Sequence, residues 1–193
     1  MGFEQRKAEA LRRLKRDLKE GKVDLKVLEI LNLINSIPDF YSLSSCSGRI
    51  CLLKFDKTFK KGEKKFVFKK HEKVRTPEIW EKLKELEGKE KNVMFVMEGA
   101  ILHISSKNLS RALDFLKKVR NLGFKRGGII SIRKYEVIME IESTEKVCVP
   151  VILDSKLVIT KKFLDQLVEI SNLLLERTWK KLEKLGEYLE SLK

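Results

Sequence analysis

The chain has 193 residues, of which 42% are hydrophobic and 36% charged, with a formal net charge of +14. That length suits one domain with helical additions, and no apolar run approaches the roughly 18 residues needed to span a membrane. Three cysteines (Cys46, Cys51, Cys148) and two histidines point to neither a disulfide framework nor a zinc site, and no metal is expected.

The N-terminus lacks the apolar core of a signal peptide, and Arg6 stands where a myristoylation signal wants Ser or Thr. It reads as the start of a helix in a soluble cytoplasmic protein. Leu11, Leu14 and Leu18 share one face of a helix over 3–19, which Gly21 stops. Asp24 caps a second helix carrying Leu25, Leu28, Leu31 and Ile34, which must end before Pro38. Strands follow in "FYSLS", "RICLLKF" and "KKFVFKKH", the last lysine-rich as an edge strand would be. Thr76-Pro77 opens a helix to about Leu86. "NVMFVME" and "AILHISS" are strands broken at Gly99. Asn108 or Ser110 caps a helix with Ala112, Leu113, Leu116, Val119 and Leu122 on its apolar side. "GIISIRK", "EVIMEIES" and "VCVPVIL" are strands. Thr160 begins a long last helix whose leucines continue to Leu192, past any evident core need.

Strands do not alternate strictly with helices, so the expected fold is α+β: a mixed, largely antiparallel sheet with flanking helices. The expected organisation is a single domain, 1–193, with N-terminal helices over 3–36, a sheet core over 39–159 and a C-terminal helix over 160–192. "FYSLSSCSGRICLLKF" and "FKRGGIISIRKYEVIMEI" each follow a helix and each give a small-residue turn and two strands. This weak internal duplication would place two glycine turns on opposite walls of a central cleft.

The charge is concentrated. Residues 1–26 carry a net +4, residues 54–75 a net +7 and residues 117–126 a net +5, while the rest sums to −2. Such segments suggest a polyanion, and nucleic acid is the commonest. The competing reading is a solvated lysine surface, but segment 54–75 does not balance its lysines with glutamates.

Within "SSCSGR", Ser44, Ser45 and Ser47 offer hydroxyls, Gly48 lets the backbone approach a ligand, and Arg49 presents a fork for carboxylate or phosphate. Cys46 reads as a pocket wall rather than a nucleophile, since no histidine is near it in sequence; a plain turn around a buried cysteine is the bland alternative. Gly127-Gly128, after Lys125 and Arg126, reads as a basic turn or as a simple helix-to-strand connection. Glu98, in the apolar "FVMEGA", needs a partner or a ligand. Glu140 and Glu142 read as one solvent-facing side of a hairpin, and Ser143 and Thr144 as candidate cleft residues. Neither GxGxxG nor GxxxxGK[ST] is present.

"FYSLSSCSGRI", "AILHI", "GFKRGGI", "EIEST" and "VPVI", in this order and spacing, resemble the tRNA wybutosine-synthesising protein 3 family over about residues 24–180. Many members have Ser where this sequence has Gly127. The resemblance implies an S-adenosylmethionine-dependent tRNA methyltransferase that is not of the Rossmann design. It would act on N4 of the tricyclic 7-aminocarboxypropyl-demethylwyosine base beside the anticodon of phenylalanine tRNA. It implies a cofactor- and substrate-binding set of Ser44, Ser45, Cys46, Ser47, Gly48, Arg49, Glu98, Gly127, Gly128 and Ser143. Arg49 would hold a carboxylate of cofactor or substrate. His103 or His71 would take the N4 proton. Lys60, Lys61, Lys64, Lys65, Lys69, Lys70, Lys125, Arg126 and Arg133 would grip the anticodon stem-loop. Two alternatives stay open: a non-catalytic RNA-binding protein, and a transferase or hydrolase using Cys46.

Overall fold

The structure is a computed structural model and describes residues 2–56 and 65–192. Along the chain these residues form α1 (Phe3–Lys19), α2 (Leu28–Ser36), β1 (Phe40–Cys46), β2 (Arg49–Lys54), β3 (Lys65–Lys70) and α3 (Thr76–Leu86). Then come β4 (Val93–Glu98), β5 (Ile101–Ser106), α4 (Leu109–Asn121), β6 (Arg126–Arg133), β7 (Glu136–Glu142), β8 (Lys146–Leu153), β9 (Lys156–Leu157) and α5 (Lys161–Glu190). Every strand pairing among the described residues is antiparallel, so the α+β class expected from the sequence is the one observed.

The chain divides into two compact units. The first comprises Met1–Ser47, Ala100–Thr144 and Thr178–Lys193; the second comprises Gly48–Gly99 and Glu145–Arg177. Three of the four points where the chain passes from one unit to the other fall in "SSCSGR", at Glu98-Gly99 and after Ser143-Thr144.

The first unit holds a four-stranded sheet, ordered β1-β5-β7-β6. Alternation sends Leu102, Ile104, Val137, Met139 and Ile141 into one core with Ile30, Leu33 and Ile34 of α2 and with Ala112, Phe115 and Val119 of α4. Asn108 caps α4, accepting from the Arg111 N–H at 3.0 Å. Phe115, not Leu113, is the residue that faces inward there; Leu113 is 51% exposed. Asp24 caps a short 3-10 turn over Leu25–Val27 rather than a full α-helix, and Leu25 is turned out to 71% exposure. The end of α5 is not surplus. Leu182, Leu185 and Leu189 are buried in this same core, each adding about 1.5–3 kcal/mol of burial.

The second unit holds a five-stranded sheet, ordered β3-β2-β4-β8-β9. Ile50, Cys51 and Leu52 of β2 and Phe95 and Met97 of β4 are buried, as central strands require. β3 is the lysine-bearing edge strand that its composition predicts. Ile79 and Leu83 of α3 and Leu164 and Leu175 of α5 are fully buried. Asn172 of α5 brackets the Val74 backbone, accepting from its N–H at 3.0 Å and donating to its carbonyl at 2.9 Å.

The two segments alike in element order pair differently. β1 and β2 lie in separate sheets, whereas β6 and β7 are hairpin neighbours.

Candidate functional site

In the first unit, "SSCS" is the end of β1. The pairing with β5 is irregular between Ser42 and Ser45, a bulge that re-aims the side chains which follow. Asn35 holds Ser42 from α2: its Oδ1 accepts from the Ser42 N–H at 2.8 Å and its Nδ2 donates to Ser42 Oγ at 2.9 Å. Cys46 and Ser47 are buried. The Ser47 N–H donates to Asp24 Oδ2 at 2.7 Å, while Asp24 Oδ1 accepts from the Lys26 N–H at 3.1 Å. One carboxylate thus caps a turn and fixes the motif. The hydroxyls of Ser45 and Ser47 are buried with no hydrogen-bond partner among the described residues. Such orphaned donors cost free energy unless something satisfies them.

Ser44 is exposed and meets His103 of β5. His103 Nδ1 lies 3.1 Å from both Ser44 Oγ and the Ser44 carbonyl, and its Nε2 lies 2.8 Å from Glu140 Oε2 of β7. With the Nε2 proton given to Glu140, Nδ1 of a neutral ring accepts from the Ser44 hydroxyl, whereas a protonated ring donates from Nδ1 to the Ser44 carbonyl. Ser44, His103 and Glu140 therefore form a chain along which a proton leaving Ser44 has a route. Beside it is a cavity of about 370 Å³, lined by Arg13, Leu14 and Asp17 of α1, by Lys22, Val23 and Leu31, and by Ser42–Ser45.

In the second unit, Gly48 has φ +106°, and a Cβ there would lie 2.9 Å from Leu175 Cδ1 and 3.1 Å from the Glu98 carbonyl oxygen. Only glycine fits both the conformation and the space. The Gly48 carbonyl lies 3.0 Å from His71 Nδ1. A carbonyl only accepts, so Nδ1 carries a proton and donates it there. Arg49 Nε and Nη2 donate to Glu98 Oε2 at 3.1 and 2.8 Å, and the guanidinium lies 4.9 Å from the Phe66 ring centre. Glu98 thus has the partner its apolar surroundings demand.

The remaining sequence candidates are placed as follows. Gly127 and Gly128 are not in a turn but in β6, opposite Ile141 and Glu140. A Cβ on Gly127 would sit 2.1 Å from the Glu140 carbonyl oxygen, with φ at +111°, so this backbone has no room for a serine side chain. Gly128 faces open space. Ser143 is buried; its N–H donates to the Ala100 carbonyl at 2.8 Å, and its hydroxyl lies 3.5 Å from Thr178 Oγ1. Lys65, Lys69 and Lys70 lie on the edge strand β3, where Lys70 pairs with Glu78. Lys125 and Arg126 are exposed at the start of β6, and Arg133, at its end, donates to Glu136 at 3.0 Å. Lys60, Lys61 and Lys64 lie outside the described residues.

Two features were not legible in the sequence. Asp24 looked like a helix cap alone, and Glu140 like a solvent-facing hairpin residue. Both acquire their partners, Ser47 and His103, through long-range pairing. The signal for Asp24 was its place just before the helix that leads into the motif.

The family model described as Methyltransferase TYW3 matches residues 5–191. A Thermococcus sibiricus protein named tRNA(Phe) 7-((3-amino-3-carboxypropyl)-4-demethylwyosine(37)-N(4))-methyltransferase is 32% identical over 191 residues, covering 99% of this chain and 96% of its own. Proteins of the same name from Archaeoglobus fulgidus and Methanocaldococcus jannaschii are each 34% identical, covering all of this chain and 95% and 100% of their own. A solved structure from Pyrococcus horikoshii is similar with a TM-score of 0.90 at 32% identity, covering 97% of this chain and 96% of its own. Sequence motifs, fold and full-length similarity agree, and the chain belongs to the TYW3 methyltransferase family.

Proposed function

We propose that this protein methylates N4 of 7-(3-amino-3-carboxypropyl)-4-demethylwyosine beside the anticodon of phenylalanine tRNA, in the cytoplasm, with S-adenosylmethionine as donor. The observation that carries the reading is full-length similarity to archaeal enzymes named for that reaction. The basic segments suit an RNA substrate.

The residues of the motif fit such a cofactor and substrate. The orphaned Ser45 and Ser47 hydroxyls can be satisfied by polar ligand atoms. The methionine moiety of the cofactor and the side chain of the tricyclic base are both α-amino acids, each carrying an ammonium and a carboxylate. Arg49 and Glu98, a paired cation and anion, match such a zwitterion in both charges. Glu98 holds the guanidinium plane ready for the carboxylate. Asp24 fixes the Ser47 backbone, and Gly127 and Ser143 support the strands that carry His103 and Glu140.

S-adenosylmethionine supplies a methyl group on a positively charged sulfur. The new N–C bond forms as the S–C bond breaks, and the N4 proton must leave. The two candidate bases are His71, with Nδ1 held by the Gly48 carbonyl, and alternatively His103, held between Ser44 and Glu140. Positioning supplies most of the acceleration of such an in-line displacement.

The test is a methyl-transfer assay with labelled S-adenosylmethionine and tRNA from a strain lacking this activity, the nucleosides being read by mass spectrometry. The expected result is one methyl gained on the tricycle. Binding of precursor tRNA with no methyl transferred would instead favour a non-catalytic RNA-binding protein.

A further inference from the structure

The hairpin joining β6 and β7 projects a cluster of which Arg133 alone figures in the RNA-gripping set that the family resemblance implies. Ile132 is 65% and Tyr135 45% exposed, and Ile130 beside them is 54% exposed. β6 is an edge strand. Exposed apolar side chains on an edge invite aggregation unless a partner covers them. Lys134 Nζ lies 5.2 Å from the Tyr135 ring centre, so the tip presents a ring beside a cation.

Behind the tip, two arginines converge on one buried carboxylate. Arg133 Nη1 and Arg6 Nη1 donate to Glu136 Oε1 at 3.0 and 3.1 Å, and Glu136 is 3% exposed. Tyr41 and Ser105 donate to its other oxygen. Glu136 fixes both guanidinium groups. The cavity there measures about 270 Å³ and is lined by Arg6, Arg13, Arg133, Glu9, Glu136 and Tyr41, among others, so that three cations face two carboxylates. It is small for a whole cofactor. Its arginines suit a sugar-phosphate.

We propose that the Arg133–Lys134–Tyr135 tip, with Arg6 and Arg13 of α1, holds an unpaired nucleotide of the RNA substrate. The base stacks on Tyr135 and the phosphates lie against Arg133 and Lys134. Charge complementarity and an accessible ring next to a cation favour single-stranded RNA over a protein partner. This rests on the tRNA reading above but concerns residues apart from the methyl-transfer motif.

The experiment is fluorescence anisotropy with a labelled anticodon stem-loop of phenylalanine tRNA, at several salt concentrations. Tyr135→Ala should raise Kd about tenfold, while Tyr135→Phe, which keeps the ring, should stay within about twofold. Lys134→Ala should lower the slope of log K against log salt by about one. Calorimetric binding of S-adenosylhomocysteine should be unchanged in all three. Wild-type affinity in both alanine variants, or equal losses for Tyr135→Ala and Tyr135→Phe, would overturn the hairpin contact while leaving the enzyme reading intact. A wild-type chain that binds S-adenosylhomocysteine but ignores the RNA would overturn both.

Discussion

Replacing Glu136 with Gln tests the electrostatic centre of the first unit. The carboxylate is buried and accepts from Arg6, Arg133, Tyr41 and Ser105. Burial alone would push its pKa up, but the hydrogen bonds from Tyr41, Ser105 and Arg133 and the charge of Arg6 more than offset this, leaving it below the ordinary 4.5. A hydrogen bond to a charged group is worth about 1.5–3 kcal/mol, and breaking a buried ion pair costs about 3–5 kcal/mol. Both arginine side chains are partly exposed, at 34% and 53%, so solvent discounts their share. The glutamine keeps one acceptor but turns an NH2 group toward the other donors. The expected cost is about 2–4 kcal/mol at pH 7, a fall in Tm of roughly 4–16 °C for a chain of this size. The assay is urea unfolding from pH 3 to 8. Because the folded pKa is depressed, the wild-type advantage is complete above about 4.5 and is lost as pH falls through the folded value. The two stability curves should therefore converge as pH falls below 4.5. Equal stability at pH 7, or a gap that persists undiminished into acid, would refute the reasoning.

Four further outcomes are expected. Arg49→Ala should weaken calorimetric binding of S-adenosylhomocysteine or of the modified stem-loop by tenfold or more, as loss of a charged hydrogen-bonding fork does; unchanged Kd values for both would end the zwitterion match. Leu185→Ala should cost about 2–5 kcal/mol in urea unfolding, because its site is fully buried, whereas Leu192→Ala, at an exposed site, should cost under about 0.5 kcal/mol. A timed thiol-labelling reaction should modify exposed Cys148 well before buried Cys46 and Cys51; a fast-reacting Cys46 would revive the cysteine-nucleophile alternative. Tyr41 is pushed up to about 12, chiefly by burial, so its stabilisation is complete below pH 10 and is lost as pH climbs from 10 to 12; phenolate absorbance during alkaline titration should show Tyr41 ionising last, after Tyr188, which burial also pushes up.

Periodicity, caps and short signature blocks are local, and those parts were legible in the sequence. The leucine spacing of α1, the Pro77 start of α3, the Asn108 cap of α4 and the Thr160 start of α5 follow from what a few neighbouring residues do to their own backbone. "SSCSGR" and "GFKRGGI" identified the family because their residue types and order are chemically unusual. What only tertiary structure decided was which distant groups meet. Strand pairing put His103 between Ser44 and Glu140 and Arg49 on Glu98, and tertiary packing ahead of α2 put Asp24 under Ser47. Gly127 read as a turn residue because a glycine pair signals a turn; the structure instead uses it where the Glu140 carbonyl leaves no room for a Cβ. The leucines at the end of α5 looked surplus because nothing local says what a helical face will cover. Their burial depends on α2, which lies about 150 positions away along the chain, and a hydrophobic face carries no address for its partner.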